Sequence, residues 1–186
     1  MKNSIFLYFL IFVPLFSFSQ KKDQPEKKNK SYNSIITSDA ITDDGLFKVH
    51  KIDDKFYYEI NPSHINREML MVTRISKTLN GIGYGGQKIN SQVLRWQKKN
   101  NKILLRVVSY ENIASDSLAI YESVRNSNFE PILYSFDIET YNPVDSSVLI
   151  NITSLFTTDV KALGFPQFRR KSLKITSLDK KRYFIE

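Results

Sequence analysis

Between residues 69 and 108 the chain reads MLMVTRISKTLNGIGYGGQKINSQVLRWQKKNNKILLRVV: three strand-like runs separated by one glycine-dense connection and one short polar one. Four of the six glycines, Gly81, Gly83, Gly85 and Gly86, fall in that first connection. Glycine takes positive φ without a Cβ clash, so this density predicts either a turn of unusual backbone shape or a segment that a partner approaches closely. A helix does not propagate through it. Whatever fold the chain adopts must reverse direction here.

Gly81, Gly83 and Gly86 also satisfy G-x-G-x-x-G, and residues 69–75 supply the strand that such a fingerprint needs in front. A phosphate-cradling loop must then open a helix whose N-terminal amides face the pyrophosphate, whereas 87–96 continues as a hairpin pattern. An inter-strand connection is the better reading. Tyr84, flanked by Gly83 and Gly85, cannot belong to a regular strand and is the aromatic placed for contact. The candidate contact loop is therefore Gly81, Gly83, Tyr84, Gly85 and Gly86.

The remaining chain follows the same strand-and-turn grammar. Residues 46–51 and 55–60 are apolar and aromatic runs around Asp53-Asp54, which reads as a hairpin. Asn61-Pro62-Ser63 is suited to cap a short helical turn reaching Glu68. The near-continuous apolar run 69–76 predicts a strand buried on both faces. Residues 91–97 and 102–110 flank Asn100-Asn101, whose side chains tolerate the left-handed backbone of a tight turn. The best helix candidate is 117–126, capped by Asp116 or Ser117. Two more strands are expected at 131–138 and 147–152, and a helical turn at 153–156. The expected fold class is α+β, mostly antiparallel β hairpins and sheet with one or two short helices.

At the front, Lys2, the apolar run 5–16 and Ser17-Phe18-Ser19 before Gln20 read as a secretory signal over 1–19. The apolar run falls short of the about 20 residues of a membrane span, so cleavage is expected and no stable membrane anchor. The product is then exported, periplasmic or secreted. No cysteine is present, which removes disulfides and thiolate chemistry together. Of the formal charge of +8, residues 20–30 carry +3 and 169–182 carry +6, so the basic character belongs to the two ends. The front stretch, 20–34, reads as a disordered basic linker. Leu173, Ile175 and Leu178 alternate with charge at the rear, as on the exposed face of a strand. Stacking aromatics inside a basic face are lacking, so no nucleic-acid partner is expected.

Catalytic chemistry finds little to work with. His50 and His64 are the two histidines, and neither sits in H-E-x-x-H. His64 and Glu68 stand i, i+4 and would share a helix face, yet two ligands do not close a metal site. His50 alternates onto the polar side of a strand. No G-x-S-x-G elbow accompanies the serines, and the Asp43-Asp44 and Asp53-Asp54 pairs sit in turn contexts where aspartate bonds its own backbone. No catalytic, cofactor-binding or metal-ligating residue is assigned in this chain.

The runs GLFKVHK, MLMVTRISKT, GIGYGGQKINSQVLRWQKKNNKILLRVVSYENI, YESVRNSNFEPIL and LDKKRYFIE resemble the N-terminal region of a family of exported zinc-dependent metalloproteases of Bacteroidetes-type bacteria. The resemblance covers the chain from about residue 35 onward. It implies two adjacent domains of unknown function, 35–85 and 86–186, ahead of a metzincin-like catalytic domain bearing H-E-x-x-H-x-x-G-x-x-H. That motif has no counterpart here, so the zinc belongs to the catalytic domain and none is expected in this chain. The implied role is a non-catalytic accessory or prodomain-like module, the front piece of such a protease, with the catalytic domain as partner. The alternative is a free-standing envelope module that binds peptide or glycan through exposed aromatics.

Overall fold

Local hairpins set the architecture. The computed structural model describes residues 30–179, 181–183 and 185, so the expected signal peptide and residues 20–29 of the expected linker lie outside it. The chain opens with a one-turn helix α1 (Tyr32–Ile35), which begins inside the stretch assigned to that linker, and a short strand β1 (Ile41–Asp43). β2 (Lys48–Ile52) and β3 (Lys55–Ile60) form the first hairpin, with Asp53 at φ 51° in its turn. A 3-10 turn (Pro62–His64) leads to β4 (Glu68–Arg74). β5 (Lys88–Lys99) and β6 (Lys102–Val108) form the longest hairpin, turned at Asn100 with φ 53°. α2 (Tyr121–Ser127) precedes β7 (Ile132–Tyr141) and β8 (Val148–Asn151), and α3 (Thr153–Thr157) and α4 (Gln167–Ser172) follow.

All eight strands join one antiparallel sheet in the order β1-β2-β3-β8-β7-β6-β5-β4. β3 and β5 are four strand steps apart, about 19 Å across a flat sheet at the usual strand spacing. Yet the Tyr58 and Trp96 ring centroids on those strands are 6.4 Å apart. The sheet therefore curls into a half-barrel, and its concave face holds the core. Ile60, Ile103, Leu105 and Ile150 there are fully buried, and Leu155 of α3 packs onto them. Burial contributes about 1.5–3 kcal/mol for each such side chain, against about 0.5–1.5 kcal/mol for an ordinary hydrogen bond. The fold is thus mostly antiparallel sheet with short helices of 4–7 residues, which α+β describes only loosely.

Several local expectations need correction. β4 is an edge strand and not one buried on both faces: its burial alternates strictly, and Leu70 is 69% exposed. Position in the sheet, not composition, decides how many faces of a strand are covered. The helical turn after Pro62 stops at His64, because Asn66 takes φ 62° and Glu68 already opens β4. His64 and Glu68 therefore share no helix face. The helix predicted at 117–126 begins at Tyr121, and no side chain caps it. At the rear, the alternation of Leu173, Ile175 and Leu178 belongs to no strand, since Leu173 ends α4 and an irregular run follows.

Candidate functional site

The connection between β4 and β5, residues 75–87, is held closed at its base. The Ile75 amide donates to the Gln87 carbonyl at 2.9 Å, the Gly86 amide to the Ile75 carbonyl at 2.7 Å, and the Arg74 guanidinium to the Gly86 carbonyl at 2.9 Å. Inside the loop, the Ile82 amide and the Thr78 hydroxyl make further short-range bonds, to the Leu79 and Ile82 carbonyls. Gly81, Gly83 and Gly86 have positive φ, as their density predicts, whereas Gly85 does not. Space constrains Gly85 instead: a Cβ there would sit 3.0 Å from the Ser76 carbonyl. At Gly83 both demands coincide, because a Cβ would come within 2.3 Å of Gln87 Oε1.

Beside this loop lies an apolar groove of about 690 Å³, lined by Ile75, Ile82, Ile89, Phe165, Leu173 and Ile175 together with Ser76, Lys77 and Thr78. The far wall is set by polar bonds at a distance. Arg170 is buried and grips Asp159 bidentately at 2.9 and 2.6 Å, while also donating to the Thr176 carbonyl at 3.0 Å. This clamp ties α4 to both flanking segments, and so fixes Leu173 and Ile175. Asn90 of β5 donates to the Ala162 carbonyl at 2.6 Å and seats the stretch that carries Phe165. None of the five residues of the candidate contact loop lines the groove. Tyr84 is 67% exposed and Leu79 is exposed too, while Ile75, Ser76, Lys77, Thr78 and Ile82 of the same connection line the groove.

A second cluster of functional side chains lies on the other side of the sheet, around Glu59. Its side chain is 1% exposed, and its Oε2 accepts from the Tyr32 hydroxyl at 2.7 Å. His50 Nε2 stands 3.0 Å from the same oxygen, and Asn142 Nδ2 donates to Oε1 at 2.7 Å. His50 Nδ1 lies 2.8 Å from Thr42 Oγ1; with Nε2–H given to the carboxylate, Nδ1 accepts from that hydroxyl. Burial pushes the Glu59 carboxyl upward, but the bonds from Tyr32, Asn142 and His50, with Lys48 nearby, outweigh it and hold the group below its ordinary range. Burial, followed by the hydrogen bond to Glu59 and then that carboxylate's charge, pushes the Tyr32 hydroxyl upward.

The Thr42–His50–Glu59 order has the look of a proton relay. Every polar atom in it is already engaged, however, so the cluster works as a clasp joining α1, β1, β2, β3 and the β7–β8 turn. His50 sits among polar side chains on β2, as its alternation predicts, but it is buried there, and no local pattern marks Glu59 as its partner. Among the described residues no group of three or more His, Cys, Asp or Glu stands together as a metal site. His50 has both ring nitrogens occupied, and His64 packs edge-on against Phe47. No helix among the described residues is long and apolar enough to cross a membrane.

Two family matches divide the sequence near the glycine connection. Residues 29–78 match a domain of unknown function, DUF5118, and residues 86–186 match another, DUF5117. No curated protein and no solved structure matches the chain. In the sheet the two segments interlock. β1 to β4 come from the first and form both outer flanks, and β5 to β8 come from the second and form the middle. Since the DUF5117 match spans more than half of the 186 residues, the chain belongs to the DUF5117 family, with a DUF5118 domain directly in front.

Proposed function

We propose that this protein is a non-catalytic accessory, prodomain-like module of an exported zinc-dependent metalloprotease, and that it packs against the catalytic domain through the groove beside the glycine loop. The observation that carries this reading is the groove itself: an apolar trough lined in part by Ile75 and Ile82 of the same connection that carries exposed Leu79 and Tyr84. Apolar surface presented beside a loop tied at its base suits burial against another protein domain. The adjacency of the two matched domains agrees with the arrangement implied by the sequence resemblance.

The direct test is a protease assay on the purified full chain with added zinc. No hydrolysis is expected, and robust hydrolysis abolished by a chelator would sink the proposal. The docking role is tested with a catalytic domain bearing H-E-x-x-H-x-x-G-x-x-H encoded in the same or an adjacent reading frame. It should bind the chain, and Ile82→Asp should weaken binding by about tenfold or more, the scale of losing a buried apolar contact. Equal binding by the wild type and the variant would rule the groove out as the contact.

A further inference from the structure

The outer edge of the sheet at β4 reads Glu68-Met69-Leu70-Met71-Val72-Thr73-Arg74 and pairs with β5 alone. Natural sheets blunt their edges with short strands, proline, inward charge or bulges, because an unpaired edge recruits another strand. β4 has no proline and no inward charge, and the charges it carries, Glu68 and Arg74, stand at its two ends. It is seven residues long, its alternation is unbroken, and it presents Glu68, Leu70, Val72 and Arg74 on one exposed face. The register irregularity opposite Thr73 and Arg74 leaves the extra residue, Ile89, on β5 and not on β4.

We infer that β4 is a self-association edge, pairing antiparallel with β4 of a second copy about a two-fold axis at Met71. The order of the residues along β4 favours this pairing. In that register Glu68 stands opposite Arg74 of the partner subunit, and Leu70 opposite Val72 of the partner subunit. Two-fold symmetry repeats both pairs, so each complementary contact counts twice. Within the chain Arg74 stands opposite Lys88, a like-charge neighbour that disfavours the pair. In that register the second copy sets its Glu68 carboxylate, which also accepts from Tyr110, beside Arg74, which keeps its bond to the Gly86 carbonyl. Exposed Leu70 and Val72 are covered at the same time, and the outward backbone groups of β4 gain ladder bonds. A stable interface buries on the order of 1,200 Å² or more, which a pair this short approaches only with flanking contacts. The dimer is therefore concentration-dependent.

Sedimentation velocity across a concentration series of the full chain reads the association directly. The wild type should shift from monomer to dimer. Glu68→Arg and Arg74→Glu, which face like charge across the axis, should each weaken association by about tenfold or more. An equimolar mixture of the two single variants should recover it as a heterodimer, as should the double variant with itself. Circular dichroism checks that each variant remains folded. Because the chain has no cysteine, Leu70→Cys mixed with Val72→Cys should form a disulfide under mild oxidation, while Val72→Cys alone should not. A wild type that stays monomeric, charge variants with unchanged association, a mixture that fails to recover it, or equal cross-linking by Val72→Cys alone would each overturn the assignment.

Discussion

The two edges of this sheet are finished in opposite ways. β1 is three residues long and its hold is internal: Thr42 bonds His50, His50 meets Glu59, and Tyr32 reaches from α1 to the same carboxylate. β4 is seven residues long, has no such clasp, and ends in the glycine connection with its groove. One edge is closed by buried polar chemistry; the other has no strand beyond it and exposes two apolar side chains between two charged ones. A curled sheet that is not a complete barrel has two such edges to manage. Here one serves stability and the other is available for contact.

The largest expected effect is at the closed edge. Glu59→Ala removes the acceptor of three donors buried around it, and removal of one side of a buried charged network costs about 3–5 kcal/mol. Urea denaturation should show that loss, and hydrogen exchange should show α1 and β1 released before the sheet opens. A loss under about 1 kcal/mol, the scale of an ordinary exposed hydrogen bond, would mean that the clasp does not hold the edge.

The same carboxylate sets a pH response. Glu59 is held below its ordinary value of 4.5 in the folded chain, so its contribution is present above that value and is lost as pH falls through the lower folded one. Stability should therefore drop with acidification below about pH 4.5 in the wild type. The drop should be shallower in Glu59→Gln, measured as the change in urea midpoint between neutral and acid buffer. Equal slopes would assign the acid sensitivity to other carboxylates.

At the open edge, the loop should be more sensitive to backbone than to side-chain changes. Gly83→Ala meets both a positive φ of 71° and the Gln87 side chain, for a cost of about 1–2 kcal/mol. Gly81→Ala has open space around its Cβ and should cost less than Gly83→Ala in thermal melts. The reverse order would mean that the loop has a different internal packing. The smallest effect belongs to Leu70→Lys. On an exposed strand face it should change monomer stability by no more than about 0.5 kcal/mol, measured at a dilution where the chain is monomeric.

Much of the local structure was legible because it is local. The β2–β3 and β5–β6 hairpins form around Asp53 and Asn100, residues that accept the left-handed backbone of a two-residue turn. The glycine spacing likewise marked a connection with three positive-φ positions, and the strand after it ruled out a phosphate-binding helix. The site was less legible. Tyr84 stood out from its flanking glycines, yet the groove is built by Ile82, Phe165, Leu173 and Ile175. A charge-alternating run such as 173–178 has the same pattern on a strand as in the irregular segment that the Arg170–Asp159 clamp holds against the loop.

Strands β2 to β8, the turns between neighbours and the absence of thiolate chemistry follow from residues close together or from composition alone, whereas β1 lies where the residues read as a turn. The tertiary structure decided the rest. β3 pairs with β8 across most of the chain, which makes one sheet of two separately matched segments. That pairing, and the place of β4 at the rim, decide which apolar faces are covered. Curling brings Tyr58 to Trp96, and packing buries Glu59 among Tyr32, His50 and Asn142. No period or motif encodes such meetings, because they arise from where strands far apart in sequence come to lie side by side.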